Sequence, residues 1–161
     1  MKVIFLAAMI LMTGCTALGP IDSTFRRVFT YDYQVPDKSK SDLYTAAVNF
    51  IAINYNDSNS VLRVTDKENG LIIGKGMSIW HEYGTDRQTP HDIKFAAKNG
   101  RARLEITIAG TARATSVGGV YVWPLPSPSG YNQMVNQFDA LAKSLESELK
   151  DNSDLSKFND F

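Results

Sequence analysis

The stretch His91-Asp92-Ile93-Lys94-Phe95-Ala96-Ala97-Lys98-Asn99-Gly100-Arg101-Ala102-Arg103-Leu104-Glu105-Ile106-Thr107-Ile108-Ala109-Gly110-Thr111-Ala112-Arg113-Ala114 decides the fold. Apolar and polar residues alternate on both sides of Asn99-Gly100, a dipeptide suited to the loop of a two-residue hairpin. The stretch therefore predicts two antiparallel strands, residues 91–98 and 101–114. With Asn99-Gly100 as the loop, Lys98 faces Arg101. Counting outward sets Phe95 against Leu104 and Ile93 against Ile106 on one face, and Lys94 against Glu105 on the other. Apolar meets apolar and opposite charges meet, and a slip of one residue undoes both.

Upstream, residues 60–65 and 71–80 read as two more strands joined by Asp66-Lys67-Glu68-Asn69-Gly70, a hairpin loop with glycine where positive φ is expected. Gly74 and Gly76 sit inside the second of these strands and mark a bulge or a close backbone approach. Residues 81–90, His-Glu-Tyr-Gly-Thr-Asp-Arg-Gln-Thr-Pro, read as a polar loop or a ragged hairpin end. Residues 39–55 read as a helix. Ser39 and Asp42 have capping-box spacing, and Leu43, Ala47, Phe50 and Ile51 form its stripe, widened by Tyr44, Val48 and Tyr55. Before it, residues 25–35 read as a strand with Phe29, Tyr31, Tyr33 and Val35 on one face, ended by Pro36.

Downstream, Val120 to Trp123 is expected to prolong the strand at 101–114 until Pro124, Pro126 and Pro128 forbid pairing. Residues 131–149 read as a second helix, with Tyr131, Met134, Val135, Phe138, Leu141, Ala142, Leu145 and Leu149 in one stripe. Residues 151–161 read as a polar tail without the alternation that a further strand, as in a ferredoxin-like order, would need. The chain is thus expected to be α+β: an antiparallel five-stranded sheet with two helices on one face, in the order β-α-β-β-β-β-α.

Residues 29–76 resemble a bacterial family of unknown function with a TATA-binding-protein-like (TBP-like) fold. The likeness rests on Val35-Pro36, on Ser39-Lys40-Ser41-Asp42-Leu43-Tyr44, on Asp57-Ser58-Asn59-Ser60-Val61, and on Asp66-Lys67-Glu68-Asn69-Gly70-Leu71-Ile72-Ile73-Gly74-Lys75-Gly76. It implies the same order of elements and brings no catalytic residues. Such domains are often found in exported or lipidated bacterial proteins. The fold's name does not imply DNA binding, because function resides in a site and not in a fold.

The amino terminus gives an address. Lys2 is followed by an apolar run, Val3 to Met12, and then by Thr13-Gly14-Cys15. A bilayer-spanning helix needs about 20 apolar residues, so a run half that long reads as the core of a signal peptide. Met12-Thr13-Gly14-Cys15 resembles the bacterial lipobox, with Met12 in place of the more usual leucine. The resemblance implies residues 1–14 as a removed leader, diacylglycerol on the Cys15 sulfur, and residues 15–24 as a tether. Thr16 after Cys15, in place of an aspartate, favours the outer membrane and its periplasmic face by analogy with enterobacterial-type sorting.

Removal of the 14-residue leader from the 161-residue chain leaves 147 residues, enough for one domain with a core of its own. Loss of Lys2 leaves 16 of the 17 Lys and Arg residues against 17 Asp and Glu. No basic excess remains to neutralise phosphates, so nucleic acid is not an expected partner. With the single cysteine acylated, no thiol remains for a disulfide, a metal or a nucleophile.

The catalytic search yields little. His81-Glu82 and His91-Asp92 adjoin the same loop, but their spacing fits no zinc motif, and both histidines are expected on the surface. No G-x-S-x-G elbow or phosphate-binding loop occurs. Tyr121 and Trp123, among the prolines, are the candidate partner-binding residues, since such aromatics anchor interfaces. The outward sheet face should carry Arg26, Thr30, Asp32, Arg63, Lys94, Arg101, Arg103, Glu105 and Thr107. The leading expectation is a non-catalytic, lipid-anchored envelope domain, held to the membrane through Cys15, that binds an envelope protein or polymer without cofactor or metal. Against it stand an envelope hydrolase or metal-dependent enzyme using the His81–His91 region, and a structural lipoprotein of an envelope assembly.

Overall fold

The computed structural model describes residues 25–55, 62–109, 112–114, 120–122 and 126–151. The elements follow in the order β1 (Val28–Gln34), α1 (Lys40–Asn54), β2 (Leu62–Asp66), β3 (Leu71–Glu82), β4 (Thr85–Lys98), β5 (Arg101–Ile108), β6 (Ala112–Ala114), β7 (Val120–Val122) and α2 (Pro128–Lys150). β1 to β5 form one antiparallel sheet of spatial order β1-β5-β4-β3-β2. The first strand therefore closes the sheet beside the fifth, with β2 at the opposite edge.

The β4–β5 hairpin adopts the register that its sequence demands. Phe95 lies opposite Leu104, Ile93 opposite Ile106, Lys94 opposite Glu105 and Lys98 opposite Arg101. Gly100 takes φ +75° in the turn. β1 adds Phe29 opposite Ile106 and Tyr33 opposite Ala102, so its apolar face continues that of β5. On this face the sheet meets both helices. Leu43, Ala47, Phe50 and Ile51 of α1 and Met134, Phe138, Ala142, Leu145 and Leu149 of α2 are buried with Phe29, Ile72, Trp80, Ile93, Phe95 and Leu104 in one core.

Helix α1 starts where its capping box places it. The Ser39 hydroxyl accepts from the Asp42 backbone N–H, and the Asp42 carboxylate accepts from that of Ser39. Helix α2 begins three residues earlier than its apolar stripe suggests. Ser127 caps it by accepting from the Gly130 N–H, and Pro128 occupies the first turn, where a missing N–H leaves nothing unsatisfied.

Three expectations are corrected. Of the two readings of residues 81–90 the loop fails and the hairpin end holds, but it is regular and not ragged: β3 and β4 stay paired from Leu71↔Ala96 to Glu82↔Thr85. They turn through Tyr83 at φ +49° and Gly84 at φ +73°, the double positive-φ geometry of a tight hairpin. The fifth strand ends at Ile108 rather than residue 114. Ala109 donates its N–H to the Pro90 carbonyl, and Pro90 has no N–H to return, so the ladder stops there. Val120–Val122 accordingly does not prolong β5. It pairs with Ala112–Ala114 in a separate two-stranded ribbon.

The glycines of β3 divide the two roles expected of them. The register shift lies in the neighbouring strand, between Leu62 and Val64, where Leu62 faces Gly74. Gly76 is the close approach: a Cβ there would lie 2.3 Å from Nε2 of His91. Asp151 caps the end of α2, and the remaining tail falls outside the described residues.

Candidate functional site

The sheet face away from the helices is open, and alternation along five strands builds it. Cross-strand rows on this face run Thr30, Glu105, Lys94, Ile73 and then Asp32, Arg103. Arg103 grips Asp32 with two bonds, Nε at 2.6 Å and Nη2 at 3.0 Å, and holds its carboxyl below the usual range. Lys75 pairs with Asp92 at 2.7 Å. Among the described residues Arg63, Lys94, Lys98 and Arg101 enter no ion pair on this face. At its centre a depression of about 430 Å³ is lined by Arg63, Ile73, Gly74, Lys75, Asp92, Lys94, Glu105 and Thr107. The β2 register shift between Leu62 and Val64 lies beside this hollow, next to Arg63. Such a surface suits a charged ligand that brings more negative than positive groups.

The opposite face holds the buried polar cluster. His91 is 3% exposed and Ser78 2%. His91 Nδ1 lies 3.1 Å from the Ser78 hydroxyl, and Nε2 lies 3.4 Å from the Tyr55 hydroxyl. Phe138 packs edge-on against the imidazole, with ring centroids 5.1 Å apart. Burial holds the His91 pKa at about 4 and pushes that of Tyr55 up to about 12, so both are neutral at pH 7. The serine and histidine have the separation of a nucleophile and its base. They also have no surface, and the far side of the ring meets a tyrosine instead of a carboxylate. The cluster joins β3, β4 and α1 by satisfied hydrogen bonds inside an apolar layer.

The expectation of two surface histidines fails for His91. Counting back along β4 from Phe95 and Ile93 puts His91 on the same inner face, a signal that the alternation already held. His81 is exposed and pairs with Asp86 at 2.9 Å. It faces Asp86 across the ladder while His91 faces Gly76, five positions further along and on the other side of the sheet. Five strand residues span roughly 17 Å, so the two imidazoles do not converge. Among the described residues no three His, Cys, Asp or Glu side chains stand close enough to hold a metal ion. Cys15 and Trp123 lie outside the described residues, and Tyr121 is placed only by its backbone, opposite Arg113 in the β6–β7 ribbon.

Residues 29–108, from the first buried phenylalanine of β1 to the end of β5, match the family described as a domain of unknown function (DUF4468) with TBP-like fold. They form a DUF4468 domain. A DUF4468 family protein from Bacteroides ovatus ATCC 8483 superposes with a TM-score of 0.56 at 13% identity, over 79% of this chain and 88% of that one. A TBP-like protein from Parabacteroides distasonis ATCC 8503 gives a TM-score of 0.60 at 10% identity, over 77% and 92%. At these identities the likeness is one of fold. No curated protein matches the chain. Within the DUF4468 domain, then, the open charged face and the buried His91 cluster are features of this chain's own residues. No helix among the described residues is long and apolar enough to cross a membrane.

Proposed function

We propose that the protein is a lipid-anchored bacterial envelope protein whose DUF4468 domain is a non-catalytic binding module for an envelope protein or anionic polymer. The observation that carries the reading is the placement of the chain's single cysteine, at the end of Met12-Thr13-Gly14-Cys15 and directly after a short apolar run. Each buried methylene of an acyl chain contributes about 0.8 kcal/mol, so two or three chains on Cys15 hold the protein at the outer membrane, on its periplasmic side. Thr16 after the cysteine supports that destination.

The open sheet face supports a binding role. It places Arg63 and Lys94, without ion-pair partners among the described residues, at a hollow that also exposes apolar surface at Ile73, with Lys98 and Arg101 farther along the same face. A phosphate-bearing or carboxylate-bearing partner complements that arrangement. Mass spectrometry of the mature amino terminus tests the anchor. The expected product begins at an acylated Cys15. A chain that retains its leader, or carries a free Cys15 thiol, refutes it. Crosslinked capture from envelope fractions tests the binding role, with a Cys15→Ser variant expected in the soluble fraction and without its partner.

A further inference from the structure

β1 starts at the end of the sheet from which the β3–β4 hairpin projects. Val28 lies in the same cross-strand row as Thr107, Asp92 and Lys75. Past that row, β3 runs on from Met77 to Glu82 and returns through Tyr83-Gly84. β5 accompanies it no further than Ala109, bonded to Pro90. Six or so strand residues carry the tip roughly 20 Å beyond the start of β1. The chain from Cys15 to Phe25 spans at most about 35 Å, so the tip lies within reach of any surface that holds Cys15.

The exposed large apolar side chains concentrate at this end. Met77 and Ile79, 41% and 51% exposed, alternate along the open face of the arm. Val28 is 44% exposed at the start of β1, and Tyr83 is 90% exposed at the tip. Among the described residues the two others, Ile53 and Val64, lie on α1 and on β2, away from the arm. Tyr83 is also the one described non-glycine residue at positive φ. A left-handed conformation costs a residue with a Cβ roughly 1–2 kcal/mol, and at 90% exposure the ring makes no compensating packing. A backbone held against its preference at an exposed aromatic points to a role outside the domain. On the open face of the arm the Asp86 carboxylate is bonded to the His81 imidazole. Arg26 and Arg27, exposed where the tether joins, are placed for phosphate headgroups.

We infer that the β3–β4 arm contacts the bilayer that anchors Cys15, with Tyr83 at the headgroup level and Ile79 and Met77 behind it. The occupant is a lipid surface because tyrosine favours the boundary between water and hydrocarbon, and because the anchor and the arm leave the domain on the same side. Two attachments, acyl chains and arm, fix the domain's tilt and hold the open charged face sideways to the membrane, where a partner reaches it. The inference rests on lipidation of Cys15, proposed above.

The test uses the lipidated full-length protein in phospholipid vesicles. Cys15 is the only cysteine and in the lipidated protein its sulfur is blocked by diacylglycerol, so Tyr83→Cys, Ile79→Cys and Lys98→Cys each offer one thiol to a polarity-sensitive fluorophore. Co-flotation with vesicles is read first, and a protein that does not float with an unmodified Cys15 fails the anchoring proposal itself. For protein that floats, the label at 83 should shift to the blue, and nitroxide-bearing lipids should quench it at least twofold more than the label at 98. Equal quenching at 83 and 98 overturns the inference. A blue shift at 83 without lipid quenching also overturns it, since a protein surface then covers the arm. The label at 79 guards against a local effect at the turn and should respond in the same direction as 83, more weakly. Unchanged thermal unfolding of each variant confirms that the domain is intact.

Discussion

Gly76 is fixed by a neighbour and not by its own backbone. Its φ is ordinary, yet an added methyl would meet Nε2 and Cε1 of His91 at 2.3 and 2.8 Å and the Tyr55 ring at 2.9 Å. The His91 ring, 3% exposed, has little room to retreat. Gly76→Ala should therefore lower unfolding stability by about 1–3 kcal/mol, the range for overpacking a filled core, in chemical denaturation. Gly84→Ala meets nothing within 4 Å, and its effect should be limited to the strain of its positive φ, about 1 kcal/mol. His91 itself sets a pH dependence. Its folded pKa is about 4 against an ordinary value of 6.5, so between those values the unfolded chain binds a proton that the native domain does not. Stability then rises with pH across the window: it is full above about 6.5 and falls by about 3 kcal/mol on acidification to pH 4. Asp42 and Asp66 have lowered pKa values, so their stabilisation is present above 3.8 and lost only below it, outside the histidine's window. Denaturation midpoints measured from pH 7 to 4 should slope for the wild type and run nearly flat for His91→Gln, in which an amide keeps partners for Ser78 and Tyr55.

Between elements, the most exposed liability is the β3 edge. β2 covers it only from Leu71 to Gly74, which leaves the arm's backbone facing outward. Helix α2 covers part of that gap. Gln133 donates to the His81 carbonyl at 3.0 Å and accepts from its N–H at 2.9 Å, and Gln137 donates to the Ile79 carbonyl. Spaced four apart on one helix face, the two amides act as a substitute for a strand. Gln133→Ala with Gln137→Ala should raise the hydrogen-exchange rate of the His81 amide about tenfold. The Trp80 amide, turned toward β4, should stay protected, because alternate residues of an antiparallel strand bond to opposite sides. Uniform loss of protection along β3 would show instead that the glutamines serve the core. The same region shows where reading the sequence succeeds and where it stops. The β4–β5 hairpin was legible because turn chemistry, alternation and cross-strand charge agree. The capping box of α1 was legible because two side chains sit at a fixed spacing. The arm's turn was hidden because its first residue is tyrosine, which positive φ ordinarily disfavours, and because Pro90 stands in mid-strand. Helix α2's first turn is hidden because Pro128 stands with Pro124 and Pro126 in a cluster that breaks strand pairing, although a first-turn proline is favourable. His91 was misplaced because a polar residue outweighed its position in the alternation.

Over the whole molecule, charge is balanced but unevenly placed. The sequence carries 17 basic and 17 acidic residues, yet beyond the two ion pairs found there the open face gathers Arg63, Lys94, Lys98 and Arg101 against Glu105. A neutral protein with one cationic face does not attract anions from every direction. It orients them, and at an ionic strength of 0.15 M that field reaches about 8 Å from the surface. If the face binds an anionic envelope partner, Arg63→Glu with Lys94→Glu should weaken capture at least tenfold at low salt. Most of that difference should vanish at 1 M salt, where screening reaches about 3 Å. Both side chains lie on the solvent side of their strands, so thermal stability should change by no more than about 0.5 kcal/mol. Lys143 and Lys150, exposed on α2 on the other side of the sheet, supply the control. Their paired replacement by glutamate alters net charge equally and should leave capture unchanged. An equal loss from both pairs would mean that total charge governs binding, and the open sheet face would then have no special claim to the partner.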